Sequence, residues 1–383
     1  MNLDEAIESL KVKDYKQALE LFKDAAAGGN PDACDFIVQM YIMALEPSIT
    51  SDDYLQYSIK GYEYRSKDGC FNLGSIYRNG MLGDPDLNKA YEFFLEGATE
   101  YQDPRCQYFL AEMLRNGEVG KINVDEAVKY YGMAAGRGYY PAQFMLAKIF
   151  ENVVDNFQTT LEFYENAVKN GHVDAMLRLA YIHEKGIRIP KNFDKAVEYY
   201  KSAAEHGSAE AKLKLARIGI EPQNYGGASS FSRSDACKML KELSEESKVN
   251  NLIKRDALYF LGQLYEQGIE KDSPDFNAAF ECFSKSSNLG SLPSMYKYGC
   301  YLFNGQGCVA DKVEAFAILH IVRFISSSNV DPSVKSKELI SPDQLVELTE
   351  RRLVDYEDQL TEAQRSEAFK IADERLGRIF NVS

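Results

Sequence analysis

The segment Asn192–Gly207, NFDKAVEYYKSAAEHG, returns in outline at Asp14–Gly29 (DYKQALELFKDAAAGG), Asn123–Gly138 (NVDEAVKYYGMAAGRG) and Asp275–Gly290 (DFNAAFECFSKSSNLG). Each has an aromatic residue or Val second, Ala fifth, an aromatic pair or its equivalent eighth and ninth, then small residues and a closing Gly. Apolar side chains at i, i+3, i+4 and i+7 make this one amphipathic helix with a glycine C-cap. A second pattern follows each copy. Gly69–Gly80 reads GCFNLGSIYRNG, Ala175–Gly186 AMLRLAYIHEKG and Ala257–Gly268 ALYFLGQLYEQG. Its first, fifth and ninth positions share a helical face, and Gly or Ala at the sixth lets a neighbouring helix approach closely.

The second pattern starts at Ala33, Gly69, Cys106, Ala142, Ala175, Ala211, Ala257 and Ser294, mostly 33 to 37 residues apart. The Ala of the first pattern recurs at Ala18, Ser58, Ala90, Ala127, Thr160, Ala196, Ala236, Ala279 and Ala315. That period belongs to helical-hairpin solenoids, in which stacked neighbours bury a stripe that one hairpin could not bury alone. The prediction is an all-α fold, an α/α superhelical solenoid of stacked antiparallel hairpins. It overrules the two or three globular domains that 383 residues would otherwise suggest. Prolines agree. Pro31, Pro104, Pro141 and Pro293 fall in the first turn of an inner helix, where the missing N–H costs nothing. Pro47, Pro85, Pro190, Pro222 and Pro274 fall in loops inside hairpins, and Pro332 and Pro342 precede and open a carboxy-terminal helix.

The residues are similar to the Sel1-like repeat family, a tetratricopeptide-like group whose pattern runs Ala-xxx-Leu-Gly-xx-Tyr-xx-Gly, then Asp-xx-Lys-Ala-xx-Tyr-Tyr-xx-Ala-Ala-xx-Gly. The resemblance covers about residues 14–320, best over Cys70–Ala211 and Ala257–Ala317 and weakest around Asp53–Gly69. It implies a right-handed superhelix that acts as an adaptor or scaffold for other proteins. One branch of the family is cross-linked by disulfides. Cys34, Cys70 and Cys106 match half of that pattern, but Ala26, Ser66 and Ala98 stand at the partner positions, so the locked character is not implied.

Residues 1–325 are expected to form the solenoid, about nine hairpins with a loop insertion near 220–234. Residues 326–383 are read as a linker and a capping helix pair. The insertion Gln223–Ser234, QNYGGASSFSRS, reads as a surface loop, either merely tolerated or serving as a contact or hinge. Ser341-Pro-Asp-Gln344 and Thr361-Glu-Ala-Gln364 each fit a capping box and predict helices near Ser341–Leu360 and Thr361–Phe380. These would cover the open end of the stack, or serve as an oligomerisation arm. The oligomeric state stays open.

A formal charge of −14 without a basic stripe argues against nucleic acid. No window reaches the run of about 18 apolar residues that crosses a bilayer. The amphipathic start, Met1–Lys13, is not a secretory signal, so a cytoplasmic location is expected, with the seven scattered cysteines as free thiols. No metal or other cofactor is expected. His172, His183, His206 and His320 lack ligand spacing; His183 replaces the repeat's Tyr and His206 suits a helix C-terminus. No phosphate loop, nucleophile elbow or HExxH occurs, and Asn381-Val382-Ser383 matches a glycosylation acceptor only formally. The chain therefore reads as a non-enzyme.

The expected partner is a protein or peptide. If the first, fifth and ninth inner-helix positions face the core, the third, seventh and tenth form an opposite stripe lining the concave groove. The third positions include Phe71, Tyr108, Phe144, Tyr259 and Tyr296. Family resemblance implies that such rings pack against the next repeat. The seventh and tenth add Arg78, Glu112, Arg115, Lys148, Glu151, Tyr181, Glu184, Arg217, Gln263 and Glu266 as specificity positions. Arg78 and Arg115 towards one end, with Glu151 and Glu184 beyond, would favour a peptide of the reverse charge order. Exposed there, the two arginines should contribute under about 1 kcal/mol to stability. A regulatory or neutralising partner of an enzyme or toxin would use the same groove; an enzyme without a recognisable motif is the remaining reading.

Overall fold

The computed structural model describes residues 3–81, 83–151, 157–225, 232–269, 273–327 and 340–380. Pro332 and Asn381–Ser383 lie outside the described residues, as does the middle of the 223–234 insertion. Among the described residues the secondary structure is entirely helical. The chain forms two compact units, Met1–Ala175 and Met176–Ser383.

In the first unit, α1 (Leu3–Lys11) pairs with α2 (Tyr15–Ala27), α3 (Pro31–Ile42) with α4 (Ser51–Glu63), and α5 (Gly69–Arg78) with α6 (Leu87–Thr99). Next come α7 (Pro104–Asn116) with α8 (Val124–Gly136), and α9 (Tyr140–Phe150) with α10 (Phe157–Lys169). The division between units falls in the first turn of α11 (Val173–Lys185). The second unit continues with α12 (Phe193–Glu205), α13 (Ala209–Ile220) with α14 (Arg233–Glu245), and α15 (Asn251–Gln267) with α16 (Phe276–Asn288). Then α17 (Leu292–Asn304) pairs with α18 (Lys312–Ser327), and α19 (Pro342–Glu357) and α20 (Glu362–Phe380) both pack on α18.

The helices start where short polar side chains can accept from freed backbone N–H groups. Asp14, Asp86, Asn123, Asn192 and Asp275 each cap an outer helix through the N–H three residues on. All four inner helices carrying Pro31, Pro104, Pro141 and Pro293 have it in the first turn, as expected. Both carboxy-terminal capping boxes form: Ser341 with Gln344, and Thr361 with Gln364. Buried Leu345, Leu353, Tyr356, Ala368 and Ala372 then join Phe316, Leu319 and Val322 of α18 in one cluster. Tyr356 stacks on Phe303.

One register differs from the sequence reading. Tyr54, not Ser58, occupies the repeat's Ala position in α4, because Thr50 caps that helix and fixes its count. Ser58 lies one turn further along the same buried face, which is why the pattern admitted both. The long spacing from Ala211 to Ala257 has a second source besides the 223–234 insertion. Part of it is α15 itself, which begins at Asn251, six residues before the pattern's first position. Pro222–Tyr225 forms a short 3-10 turn, and α14 starts within the stretch taken as loop.

Candidate partner-binding surface

The inner-helix stripe exists as a set of positions, but most of its side chains are engaged within the fold. In the first unit, Phe71 lies 5.7 Å from the Phe109 ring and 6.4 Å from Phe94, with the Arg105 guanidinium 4.5 Å over its face. Tyr108 packs against Tyr139 at 5.4 Å and Tyr131 at 5.7 Å. Phe144 stacks on His172 at 4.4 Å. Each third-position ring thus leans on the following turn or inner helix, as the family resemblance implied. Burial beside Glu112 pushes the Tyr108 phenol up to about 12, so it is a neutral donor at physiological pH.

The charged positions are wired as well. Arg78 forms a two-pronged pair with Glu118, Nε–Oε2 3.0 Å and Nη2–Oε1 2.7 Å, both side chains about one-fifth exposed. Arg115 donates to Glu112 at 3.0 Å and lies 3.3 Å from the Tyr131 hydroxyl, which itself donates to Glu112. Glu151 accepts from the Tyr164 hydroxyl at 2.9 Å. Lys148 is exposed and sits 5.6 Å above the Phe144 ring.

In the second unit, Glu184 is only 5% exposed and accepts from Tyr200 at 2.7 Å and Lys185 at 2.7 Å. Tyr259 and Tyr296, 3% and 7% exposed, belong to the core and are not presented to solvent. The expected stripe geometry fails there because α15 and α17 are packed on more than one face; Tyr259 meets Phe283 and Phe260, and Tyr296 joins the cluster around α18. Gln263 donates to the Tyr259 hydroxyl at 3.1 Å. Glu266 pairs with Lys297 of α17 at 2.8 Å. Arg217 lies over Phe260 at 5.6 Å and 3.9 Å from Glu221. Tyr181 is 38% exposed, with Arg178 and Lys185 over its ring.

A relation missed from the sequence links several of these residues. The ninth-position Tyr of an outer helix donates to the seventh- or tenth-position acid of the inner helix before it: Tyr131 to Glu112, Tyr164 to Glu151, Tyr200 to Glu184. The signal was present as Tyr and Glu recurring 13 to 19 residues apart. Three of the four histidines are packing groups, and the exposed His206 ends α12 with Nδ1 2.8 Å from the Ser202 carbonyl oxygen. His183 stacks on Tyr199 at 5.8 Å, and His172 accepts the N–H of Ala175 through Nδ1. Burial and Arg323 hold His320 down at about 4, neutral against Phe316 and Phe369. Cys34, Cys70, Cys106, Cys237 and Cys282 are buried thiols, and Cys300 and Cys308 are half-buried. Burial raises Cys34 to about 11 and Cys70 to about 12, which suppresses the reactive thiolate. No helix among the described residues is long and apolar enough to cross a membrane.

Among solved structures, a protective antigen of uropathogenic Escherichia coli displaying an SLR fold aligns over 97% of this chain and 83% of its own, at 20% identity and TM-score 0.54. A Sel1 repeat protein from Oxalobacter formigenes aligns over 63% of this chain and 98% of its own, at 22% identity and TM-score 0.56. An exopolysaccharide production negative regulator of Rhizobium leguminosarum is 27% identical over 149 residues, 35% of this chain and 55% of that protein. This chain thus spans about half the length of that relative. A chitin synthase regulatory factor of Schizosaccharomyces pombe is 29% identical over 115 residues, 30% of this chain and 18% of that protein. The Sel1 repeat matches residues 10–30, 67–100, 104–139, 173–208, 255–291 and 292–320. The unmatched gaps hold α3–α4, α9–α10 and α13–α14, which keep the hairpin form although their sequences drift. With the repeat matched over half of its length and the hairpins continuous between matches, this chain belongs to the Sel1 repeat family.

Proposed function

We propose that the chain is a protein-interaction adaptor that regulates by binding, holding a partner polypeptide along the inner-helix face. The observation that carries this reading is the contrast between positions. Apart from Tyr298, the first, fifth and sixth inner-helix residues repeat as small or aliphatic packing groups, whereas the seventh runs Ser75, Glu112, Lys148, Tyr181, Arg217, Gln263. A scaffold built from near-identical units varies its chemistry on that face, and binding specificity needs such variation. Among these residues Lys148 and Tyr181 are exposed and so the most accessible to a partner. Glu184, Tyr259 and Tyr296 enter as supports, not contacts. The relatives' names, negative regulator and regulatory factor, agree with action through another protein. The buried thiols suit a reducing, cytoplasmic setting.

The test is to isolate a stoichiometric partner on the immobilised full chain and titrate it calorimetrically against face variants. Lys148→Glu and Tyr181→Ala should weaken binding while leaving the melting temperature unchanged. Unchanged affinity in both would overturn the reading.

A further inference from the structure

We infer that a cleft at the amino-terminal ends of the inner helices in the first unit binds an acidic, extended polypeptide segment. This goes beyond the inner-face reading and stands or falls separately from it. The cleft has a volume of about 910 Å³ and is built from the start of α3 and the turns that precede α5, α7 and α9.

Its lining carries four cations, Arg65, Lys67, Arg105 and Arg137, against Asp32, Asp68 and Asp103, a positive balance in a chain of net charge −14. Arg105 is paired with both Asp68 and Asp103, a cluster of net charge −1 that also receives Gln39 and ties α3, α5 and α7 together. What remains on the walls is Arg65, Lys67 and Arg137, exposed and without an ion pair among the described residues, against one exposed carboxylate, Asp32. Three cations without an ion pair among the described residues therefore converge on one cleft in a chain of net charge −14. The surrounding surface repels a long polyanion such as nucleic acid, whereas a short carboxylate-bearing segment meets only the local field.

Among the described residues, five that are not glycine have a positive φ, Lys13, Ala44, Arg65, Gln102 and Arg188, and two of them line the cleft. The turns that close α2 and α8 use Gly29 and Gly138 at φ 84° and 81°. The two turns between them instead hold Arg65 at φ 59° and Gln102 at φ 52° in the left-handed region. That conformation costs a non-glycine residue roughly 1 kcal/mol or more, and glycine is the residue that avoids it. Both strained side chains line the cleft, and Gln102 accepts from Arg137. The half-exposed Tyr139 and exposed Tyr101 add apolar walls.

Spacing suggests the form of the occupant. Successive inner helices in such a stack lie about 9–10 Å apart. Arg65 and Lys67 precede α5 and Arg137 precedes α9, two steps along, or roughly 20 Å. An extended strand covers that in about six residues. Carboxylates about six positions apart would then reach both ends, with Gln102 and Tyr101 beneath the middle.

The probe is a fluorescein-labelled deca-glutamate peptide, followed by anisotropy with the full chain at low and at moderate salt. Saturable binding that weakens with salt is expected. The triple variant Arg65→Gly, Lys67→Gln, Arg137→Gln should weaken it at least tenfold while keeping the melting temperature, since Arg65→Gly relieves strain. Arg137→Gln alone, at an exposed side chain, should weaken it severalfold, which keeps the test open if the triple variant misfolds. Lys129→Gln, on the exposed outer face of α8, should bind as the parent does. No saturable binding by the parent, equal affinity in the variants, or equal loss in Lys129→Gln would each overturn the inference. So would inorganic tripolyphosphate displacing the probe at lower concentration than unlabelled peptide, which would assign the cleft to phosphate.

Discussion

Cε1 of Phe94 lies 2.6 Å from the point that a Cβ on Gly74 would occupy, so the ring of the outer helix sits on the bare backbone of the inner one. Gly262 and Phe283 repeat the relation at 2.7 Å. At three of the positions where the sixth residue is Ala, Ala111, Ala147 and Ala180, the outer-helix residue is Tyr131, Tyr164 or Tyr200, whose hydroxyl reaches an acid of the inner helix. Five hairpins thus close in one of two ways, a Phe seated on glycine or a Tyr over alanine with its hydroxyl bonded, whereas Gly299 is met by Leu319 and the hairpin of Ala216 carries Leu240 at the same outer position.

Gly74→Ala should therefore destabilise the protein despite the better helix propensity of Ala. Phe94 is fully buried and cannot swing away, so the overlap should cost about 1–3 kcal/mol. Gly132→Ala, on α8 with nothing within 4 Å, should instead gain about 0.5–1 kcal/mol. Thermal melts of the two variants should move in opposite directions; a parallel rise would mean that the Phe94 seat is loose.

Tyr200→Phe should cost about 1–2 kcal/mol, because it strips a donor from the buried Glu184 carboxylate. Tyr164→Phe should cost less, since Glu151 is half-exposed and water can replace the hydroxyl. Burial alone would raise Glu184, but bonds from Lys185 and Tyr200 outweigh it and hold its pKa below the usual range. Its folded pKa is depressed, so this stabilisation is present above the unfolded value near 4.5 and lost as pH falls through the folded one. The Tyr200→Phe deficit should be full at neutral pH and shrink in acid. A deficit independent of pH would assign it to packing.

Much of this architecture was legible because the hairpin is written many times. Leu179 and Leu261, assigned to the core by the fifth position of the pattern, are buried at 0% and 4%. The capping boxes at Ser341 and Thr361 could be read because the signal is local. Partnerships between elements could not. That Arg78 reaches Glu118, or Arg105 reaches Asp68, depends on which turns the stacking brings together across 37 to 40 residues. A helical wheel counts such side chains as exposed because it knows only their own helix. The left-handed turns at Arg65 and Gln102 were hidden because neither residue is a glycine, the usual sequence mark of that conformation.

Asp35 supplies a pH dependence of opposite sign. Burial, with Asp68 beside it, raises its carboxyl to about 6 from 3.8, while the hydrogen bond from the Asp68 N–H opposes the shift. A raised folded pKa means that the contribution to stability is fully present below the unfolded value and lost as pH rises through about 6. Asp35→Asn keeps an acceptor for the Asp68 N–H and removes the charge. It should stabilise the protein by about 1–3 kcal/mol above pH 7 and have no effect below about pH 4. Denaturant melts at pH 4 and pH 8 would show it; equal effects at both would place the cost of Asp35 elsewhere.

Arg78 calls for a different expectation from the one its sequence position suggests. Its guanidinium is shared between two Glu118 oxygens and lies 5.4 Å from the Phe109 ring, so it is part of the stack and not a free surface charge. Arg78→Glu sets two half-buried carboxylates against each other and should cost about 1–3 kcal/mol, between the values for exposed and buried pairs. The swap Arg78→Glu with Glu118→Arg should recover most of that loss. Partner binding is better probed at Lys148, which is exposed and has no ion pair among the described residues. Lys148→Glu should leave the melting temperature within about 1 °C, since surface substitutions are usually within ±0.5 kcal/mol. It should lower partner affinity at least about tenfold if the ammonium makes a charge-assisted contact. Calorimetric titration of the parent, Lys148→Glu and the outer-face variant Lys129→Glu separates the surfaces. Normal binding by Lys148→Glu with loss in Lys129→Glu would move the partner to the outer helices and end the inner-face reading.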